Sequence, residues 1–397
     1  MFMQSPNDEP LLQGLRVLDL SQGIAGPYCG DILLQQGAEV IKVEPPAGDW
    51  ARHMGTTRHG FSAVVLAYNA GKSGLCVDAG MEAGRHVLQK LAQQVDVVIQ
   101  NFRPGVVERL GLDYDTLAPH NERLVYVSIS GFGADGPLVD APATDSVMQA
   151  MSGMMHANRH ASGQPQKVGL YLADIAAAVY ASQLVSAALY RRSITGKGRH
   201  LELSLLEACA ALQASNIVDA VFSAGTPASA ATAPSGVFAV SDGFITLSTL
   251  NNGMFSRLCE VLGAGHLVAD ERFSSNKSRL THADGLNEEV ASILKCQPLS
   301  FWLPKLVAAD VLHAEVSTYE GLLTHPQVRH AGIFSQIDVA GLPPLPRARQ
   351  PGCATGDSKA GVPRLGEHSQ EVLVRYGFAP QEIAALMAQK AVLPAQP

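Results

Sequence analysis

LRVLDLSQGIAGPYCGDILLQQGAEVIKVE, Leu15 to Glu44, decides the fold. Leu15 to Leu20 is a compact apolar run rich in strand formers, and Ser21 to Pro27 is a Gly and Pro loop. Tyr28 to Gln36 reads as helix, Gly37 terminates it, and Glu39 to Glu44 is a second apolar strand. Two more buried-type strands, Val95 to Ile99 and Leu124 to Ile129, are separated by helical or loop stretches. Strands alternating with crossover segments build a parallel sheet covered on both faces. The fold class is therefore α/β.

Further along, the composition shifts to Ala, Ser, Thr and Pro over Thr226 to Pro234, which reads as a linker. Gly236 to Leu250 alternates around Asp242-Gly243, a hairpin signal. Helical segments follow to about Gln327, including Phe255 to Leu262 and Leu286 to Leu294. A Pro-rich passage, Leu342 to Pro351, leads to a last helical pair, Ser369 to Tyr376 and Pro380 to Gln389. These signals predict a large α/β domain over residues 10–225, a smaller α+β domain over 230–328, and a linker and C-terminal segment over 329–397. At 397 residues the chain exceeds the size at which one core stops growing, so two folding units are expected.

Apolar residues make up 47% and charged residues 16%, which suits a well-filled core and surface buried in an oligomer. A net charge of −7 with 29 Lys plus Arg leaves no basic stripe to track a phosphate backbone, so nucleic acid is not an expected partner. Met1 to Pro10 is polar, without a signal-peptide core, and no uninterrupted apolar run looks long enough to span a bilayer. A cytoplasmic protein with no membrane partner is the expectation. The six cysteines, Cys29, Cys76, Cys209, Cys259, Cys296 and Cys353, form no C-x-x-C pair, so neither zinc nor a disulfide framework is suggested.

The turn Ser21 to Pro27 matches neither the dinucleotide nor the Walker phosphate pattern, and there is no G-x-S-x-G elbow. His156 and His160 have helical metal-ligand spacing, but Gly153 and Ser162-Gly163 frame them as loop residues with no third ligand nearby. No metal site is expected. Basic residues recur just after strand ends: Lys42, Arg52, Arg58, Lys72 and Arg103. Each reads equally as an ordinary surface cation. Loops beyond the carboxyl ends of strands are, however, where open α/β sheets bind ligands, and a phosphorylated ligand suits this set. Asn101 to Gly105 joins an amide, an aromatic face, a guanidinium and a rigid turn, a combination able to stack a purine and hold phosphates.

One carboxylate remains. Asp174 stands between the apolar run Val168 to Ala173 and the small-residue helical stretch Ile175 to Tyr190. It reads either as a helix N-cap, worth about 1 kcal/mol, or as a nucleophile held at a positive helix terminus.

Several segments, taken in order, resemble the family III CoA-transferases, the group that includes formyl-CoA transferase and the carnitine CoA-transferases. They are Gly14 to Pro27, Gly37 to Glu44, Gly48-Asp49 with Arg52, then Asn69, Gly71 and Lys72, and Asn101 to Gly111. Ser128 to Pro137 follows, then Asp145, Gln149, Ser152-Gly153, Leu172 to Ile175, Thr195 to Gly198, Leu365 to His368 and Val372-Leu373. The resemblance spans nearly the whole chain. It implies a large open parallel-sheet (Rossmann-like) domain assembled from the N- and C-terminal parts, an inserted smaller domain, and an interlocked homodimer. It also implies that Asp174 is the nucleophile, forming covalent aspartyl intermediates as CoA passes from an acyl-CoA donor to a small carboxylic acid. No permanently bound cofactor is implied, coenzyme A being carried as substrate.

Within that resemblance, Arg52, Lys72, Asn101, Phe102 and Arg103 are the candidate CoA-binding residues, and Thr144 and Gly236 the candidate specificity residues. A C4 or C5 dicarboxylate with succinyl-CoA as donor is the expected pairing. The related α-methylacyl-CoA racemase carries His before the Asp of a Gly-His-Asp motif, whereas here the stretch is Ala143-Thr144-Asp145. Threonine exchanges no proton with a carbon acid near neutral pH, which disfavours racemisation. Many of the transferases have Tyr there, so Thr144 departs from them too. The several-glycine loop of formyl-CoA transferase is not evident, and Gly236 and Asn251-Asn252-Gly253 are the nearest substitutes as oxyanion donors. A non-catalytic CoA-binding relative is the remaining alternative, which the Leu172 to Ile175 (LADI) context of Asp174 argues against.

Overall fold

A computed structural model of the chain describes residues 10–160, 162–223, 231–353 and 359–395. The opening stretch folds as β1 (Arg16–Asp19), α1 (Ala25–Gln35) and β2 (Glu39–Glu44). The sheet continues through β3 (Ser73–Val77), β4 (Val97–Gln100), β5 (Val125–Ser130) and β6 (Arg199–Ser204). Its order is β3-β2-β1-β4-β5-β6, all parallel, with a two-residue strand, Val392–Leu393, added antiparallel on the free edge of β3. Register follows apolar pairs such as Val17 with Val97 and Val97 with Val125. Parallel strands flanked by helices are apolar on both faces, and β1 and β4 accordingly carry consecutive Val, Leu and Ile, while β5 keeps Val125 to Val127 buried and alternates only at Ser128 and Ser130.

The order reverses direction between β1 and β4. Chain leaving β1 moves to one side through β2 and β3, while chain entering β4 moves to the other. The carboxyl ends of those two adjacent strands therefore diverge into loops that open a crevice, the usual ligand position in such sheets.

Two further helices shape that crevice: α2 (Asp145–Met151) and α3 (Leu172–Thr195). Ala173, Ala176, Ala177, Ala181 and Ala188 of α3 are buried, and these small side chains let α3 lie close against α1. At 24 residues α3 is, by length and composition, long and apolar enough to cross a membrane. It is not an uninterrupted apolar run, since Asp174, Gln183, Arg191 and Arg192 fall within it, and the reason for its composition lies in the packing: its small-residue face lines a core shared with α1 and β5.

The chain divides into two compact units, residues 1–217 with 332–397, and residues 218–331. In the second, Ser235–Val240, Gly243–Ser248 and Leu312–Glu315 form an antiparallel sheet. The hairpin turns at Ser241-Asp242, one residue before the expected Asp242-Gly243, because Val240 already pairs with Gly243. Helices cover a core that includes Phe238, Ile245, Leu258, Leu286 and Trp302. Of the expected linker, residues 226–230 lie outside the described residues, as does nearly all of Met1 to Pro10. The Pro-rich passage is not purely linker: Leu345–Ala348 pairs with Phe334–Ile337, and Arg347 reaches Asp31 of α1 and the Ala70 carbonyl from within the core.

Candidate active site

At the point where the strand order reverses lies a cavity of about 590 Å³. Its walls come from the loop after β1 (Gln22, Ile24), the loop after β4 (Asn101 to Pro104), the turn after β5 (Ser130 to Gly133), Thr144 to Ser146 at the start of α2, and Lys167, Tyr171 and Asp174 at the start of α3. Asp174, Thr144, Asn101, Phe102 and Arg103, singled out in the sequence, therefore meet around one space. Arg52 and Lys72 do not line it, and Gly236 belongs to the second unit, on the strand Ser235–Val240.

Ion pairs beneath the cavity account for the first two. Lys72 is buried, its ammonium bonded to Asp19 (2.9 Å), the Pro27 carbonyl (2.7 Å) and Asn69 (3.0 Å). Burial raises the Asp19 pKa, but Lys72, Lys42 and the Ser21 hydroxyl outweigh it and hold the carboxyl below its ordinary value. Arg52 grips Glu44 with two bonds of 2.6 Å and donates to the Pro363 carbonyl at 3.1 Å. Lys42, buried, donates to the Ser21 carbonyl and pairs with Asp49 at 3.1 Å, and Asp49 in turn accepts from Gly23 N–H at 3.0 Å. The expectation of ordinary surface cations thus fails for Lys42, Arg52 and Lys72. Lys42 and Lys72 brace the loop after β1 and the start of α1 through the Ser21 and Pro27 carbonyls, while Arg52 ties Glu44 at the end of β2 to Pro363.

Asn101 serves the same loop from the other side. Its carboxamide accepts from Gln22 N–H at 2.8 Å and donates to the Gln22 carbonyl at 2.7 Å, joining the two loops of the switch point. Gly23, at φ +80°, lies under the Trp50 ring so closely that a Cβ would come within 2.2 Å of it. Arg103 is exposed beside half-buried Phe102, and no ion pair engages its guanidinium among the described residues.

Asp174 is the third residue of α3, already inside the helix, so it is not the N-cap. Tyr171 holds the cap position without a side-chain bond, and Asp145 of α2 does the capping work across the gap, accepting from Ala173 N–H at 2.9 Å. Asp145 and Gln149 stand one turn apart on α2. Gln149 donates to Asp145 (2.9 Å) and the Leu170 carbonyl (3.0 Å) and accepts from Val168 N–H (2.9 Å); Lys167 lies 3.1 Å from Asp145 and 2.8 Å from the Ser146 hydroxyl. The segment entering α3 is thereby fixed. The Asp174 carboxylate makes no hydrogen bond among the described residues and is half-buried at the cavity wall. Burial raises its pKa to about 7, with Asp145 adding to the rise and Lys167 opposing it. A carboxyl short of solvation yet ionisable near neutrality, set in a cleft, is a candidate functional residue.

Thr144 is exposed, and its hydroxyl caps α2 by accepting from Val147 N–H at 3.4 Å. Asn251 likewise caps a helix in the second unit, and Asn252 bonds to buried Arg279. His156 ends a one-turn helix, Met154–Ala157, and His160 lies beyond it, so the two share no helical face. Gly131 and Gly133 line the same cavity as Asp174, and a Cβ on Gly131 would fall 2.2 Å from that of Ala143. Gln22, Trp50, Lys167 and Tyr171 line the cavity unforeseen: Trp50 opens a 3-10 turn, Trp50–His53, the other three stand outside regular elements, and only folding brings them together.

A model of CoA-transferase family III matches residues 12–369. The chain belongs to that family. As a family III CoA-transferase it is similar to the succinate–glutarate CoA-transferase of Agrobacterium fabrum, at 32% identity over 93% of this chain and 96% of the relative. It is also similar to the acetyl-CoA:oxalate CoA-transferase of Acetobacter aceti, at 36% over 76% and 77% respectively. Among solved structures, a CAIB/BAIF family protein from Brucella suis superposes with a TM-score of 0.83 at 32% identity, covering 92% of this chain and 99% of that one.

Proposed function

We propose that the enzyme transfers CoA from succinyl-CoA to a small dicarboxylate through Asp174. The observation that carries this is the placement of a half-buried carboxylate, to which no hydrogen bond is donated among the described residues, on the wall of the cavity at the switch point. The two relatives act on acids named as succinate, glutarate and oxalate, which supports a dicarboxylate acceptor.

Ionised Asp174 attacks the thioester carbonyl carbon, and the C–S bond breaks to give an aspartyl anhydride and CoA thiolate. The thiolate then attacks the Asp174 carbonyl of the anhydride, releasing the donor acid and leaving an aspartyl-CoA thioester. An acceptor carboxylate attacks that thioester, expelling thiolate again. Thiolate attack on the acceptor's carbonyl forms the new acyl-CoA and returns Asp174 as a carboxylate. Each tetrahedral oxyanion needs aimed donors, for which the turn at Gly131-Phe132 is the candidate, lying on the same cavity wall. In this reading Arg103 and Phe102 meet the nucleotide of CoA, which their position on the cavity wall supports, whereas Lys72 and Asn101 act by bracing the loops and Arg52 by fixing Glu44. Thr144, committed as a cap and without a titratable group, offers a racemase no second base.

An interlocked homodimer in the cytoplasm completes the reading, supported by six free cysteines and by exposed apolar residues such as Tyr190, Ile194, Val221 and Phe222. Sedimentation of a monomer would overturn the dimer. For the chemistry, the enzyme is incubated with succinyl-CoA and trapped with hydroxylamine or borohydride, and the Asp174 peptide is examined by mass spectrometry. A hydroxamate or alcohol at Asp174 is expected; no adduct with any of a broad acyl-CoA panel sinks the proposal.

A further inference from the structure

We infer that Lys167 recognises the distal carboxylate of the acceptor acid and so selects dicarboxylates over monocarboxylates. The inference rests on the CoA-transfer reading above. Among the described residues, the cavity wall holds two cations, Arg103 in the loop after β4 and Lys167 in the segment entering α3. They stand on different elements. Lys167 is the one whose charge acts on Asp174, drawing its pKa down against burial, so it lies within electrostatic reach of the reacting carboxyl.

Its ammonium is anchored rather than adrift: Asp145 at 3.1 Å and the Ser146 hydroxyl at 2.8 Å hold it from the α2 side, and the Tyr171 ring centroid lies 5.6 Å away. An ammonium has three N–H donors, so two partners leave one for a ligand. The side chain is 39% exposed, which keeps that donor accessible from the cavity. Asp145 keeps bonds from Gln149 and Ala173 N–H whichever way Lys167 turns, so sharing the lysine does not strand its carboxylate.

The reaction itself changes what Lys167 faces. In the resting enzyme one lysine pairs with Asp145 and its charge also acts on Asp174. Once Asp174 is esterified with CoA its negative charge is gone, and the field of Lys167 is shared with one carboxylate fewer. The cavity is then most receptive to a second negative group when the acceptor must enter. A monocarboxylate has only the reacting carboxylate and gains nothing from the lysine; a C4 or C5 diacid fills the free donor with its far end.

The test compares acids of equal chain length, succinate against butyrate and glutarate against valerate, with one donor held saturating, in wild type, Lys167→Met and Lys167→Arg. Wild type should prefer the diacids in kcat/KM. Lys167→Met should cut that preference about tenfold or more, through the KM of the diacid, as loss of a charge-assisted hydrogen bond does. Lys167→Arg should restore most of it. An undiminished preference in Lys167→Met, or equal losses for both acid classes, overturns the assignment. So does a wild type that prefers monocarboxylates while still forming the aspartyl-CoA adduct, whereas absence of that adduct in wild type condemns the transfer reading instead.

Discussion

The side chain of Asn101 grips the main chain of Gln22 at both ends, accepting its N–H at 2.8 Å and donating to its carbonyl at 2.7 Å. The two residues lie 79 positions apart and sit on the diverging loops of adjacent strands. Asn101→Ala removes both bonds, each worth roughly 0.5–1.5 kcal/mol net. The expected result is a loss of about 1–3 kcal/mol in denaturant unfolding and a fall of about tenfold or more in transfer rate, because Gln22 and Ile24 on the cavity wall lose their brace. Full activity in Asn101→Ala would show that the grip is dispensable.

Asp174→Asn should abolish transfer, by about a thousandfold or more, while the fold is kept. It should also stabilise the protein above neutral pH. Burial holds the native pKa near 7, above the ordinary 3.8, so between those values the folded state binds the extra proton and stability falls as pH rises. Asparagine has no charge to desolvate, and the gain at pH 8 should be about 1–3 kcal/mol, read by chemical unfolding at pH 5 and pH 8. An unchanged difference between the two pH values would refute the burial argument.

The pH profile of the first half-reaction should rise through about 7 as Asp174 ionises. Asp145 contributes to that position by its charge, so Asp145→Asn should move the midpoint downward, its amide oxygen still accepting from Ala173 N–H. Rates of adduct formation from pH 5 to 9 measure both, and an upward move would contradict the electrostatics.

Arg103 and Lys72 should separate cleanly although both are cations after strands. Arg103→Ala should raise KM for the CoA ester by about tenfold or more and leave the melting temperature in place. Lys72→Met strands the buried Asp19 carboxylate, at a cost of about 3–5 kcal/mol. Steady-state kinetics set beside thermal melts distinguish a ligand contact from a structural pair.

How much of this was legible before folding can be read from particular residues. The β1-α1-β2 pattern rests on local apolar runs and glycine punctuation, which the chain carries in short windows; the structure keeps the two strands within a residue but starts the helix at Ala25, three residues before the expected Tyr28 and inside the stretch read as loop. The strand Val392–Leu393 was missed because two residues make no periodic signal; the sheet edge at β3 creates it. The Pro-rich passage became a strand because Pro346 sits where no partner needs its missing N–H, between bonds to Phe334–Ile337.

By itself the sequence determined the α/β class, the family and the carboxylate to watch, since each is carried by short local motifs whose order along the chain needs no folding to be read. Tertiary structure alone decided what the charged residues do. Lys42, Lys72 and Arg52 read like Arg103 along the chain, yet three are neutralised by carboxylates under the site and one faces open space. Only the folded chain sets Asp145 against the first turn of α3, taking from Asp174 the capping role that the sequence offered it. The reason is physical: charge, desolvation and hydrogen bonding depend on distances through space, and residues 28 or 53 positions apart acquire those distances only when the sheet forms.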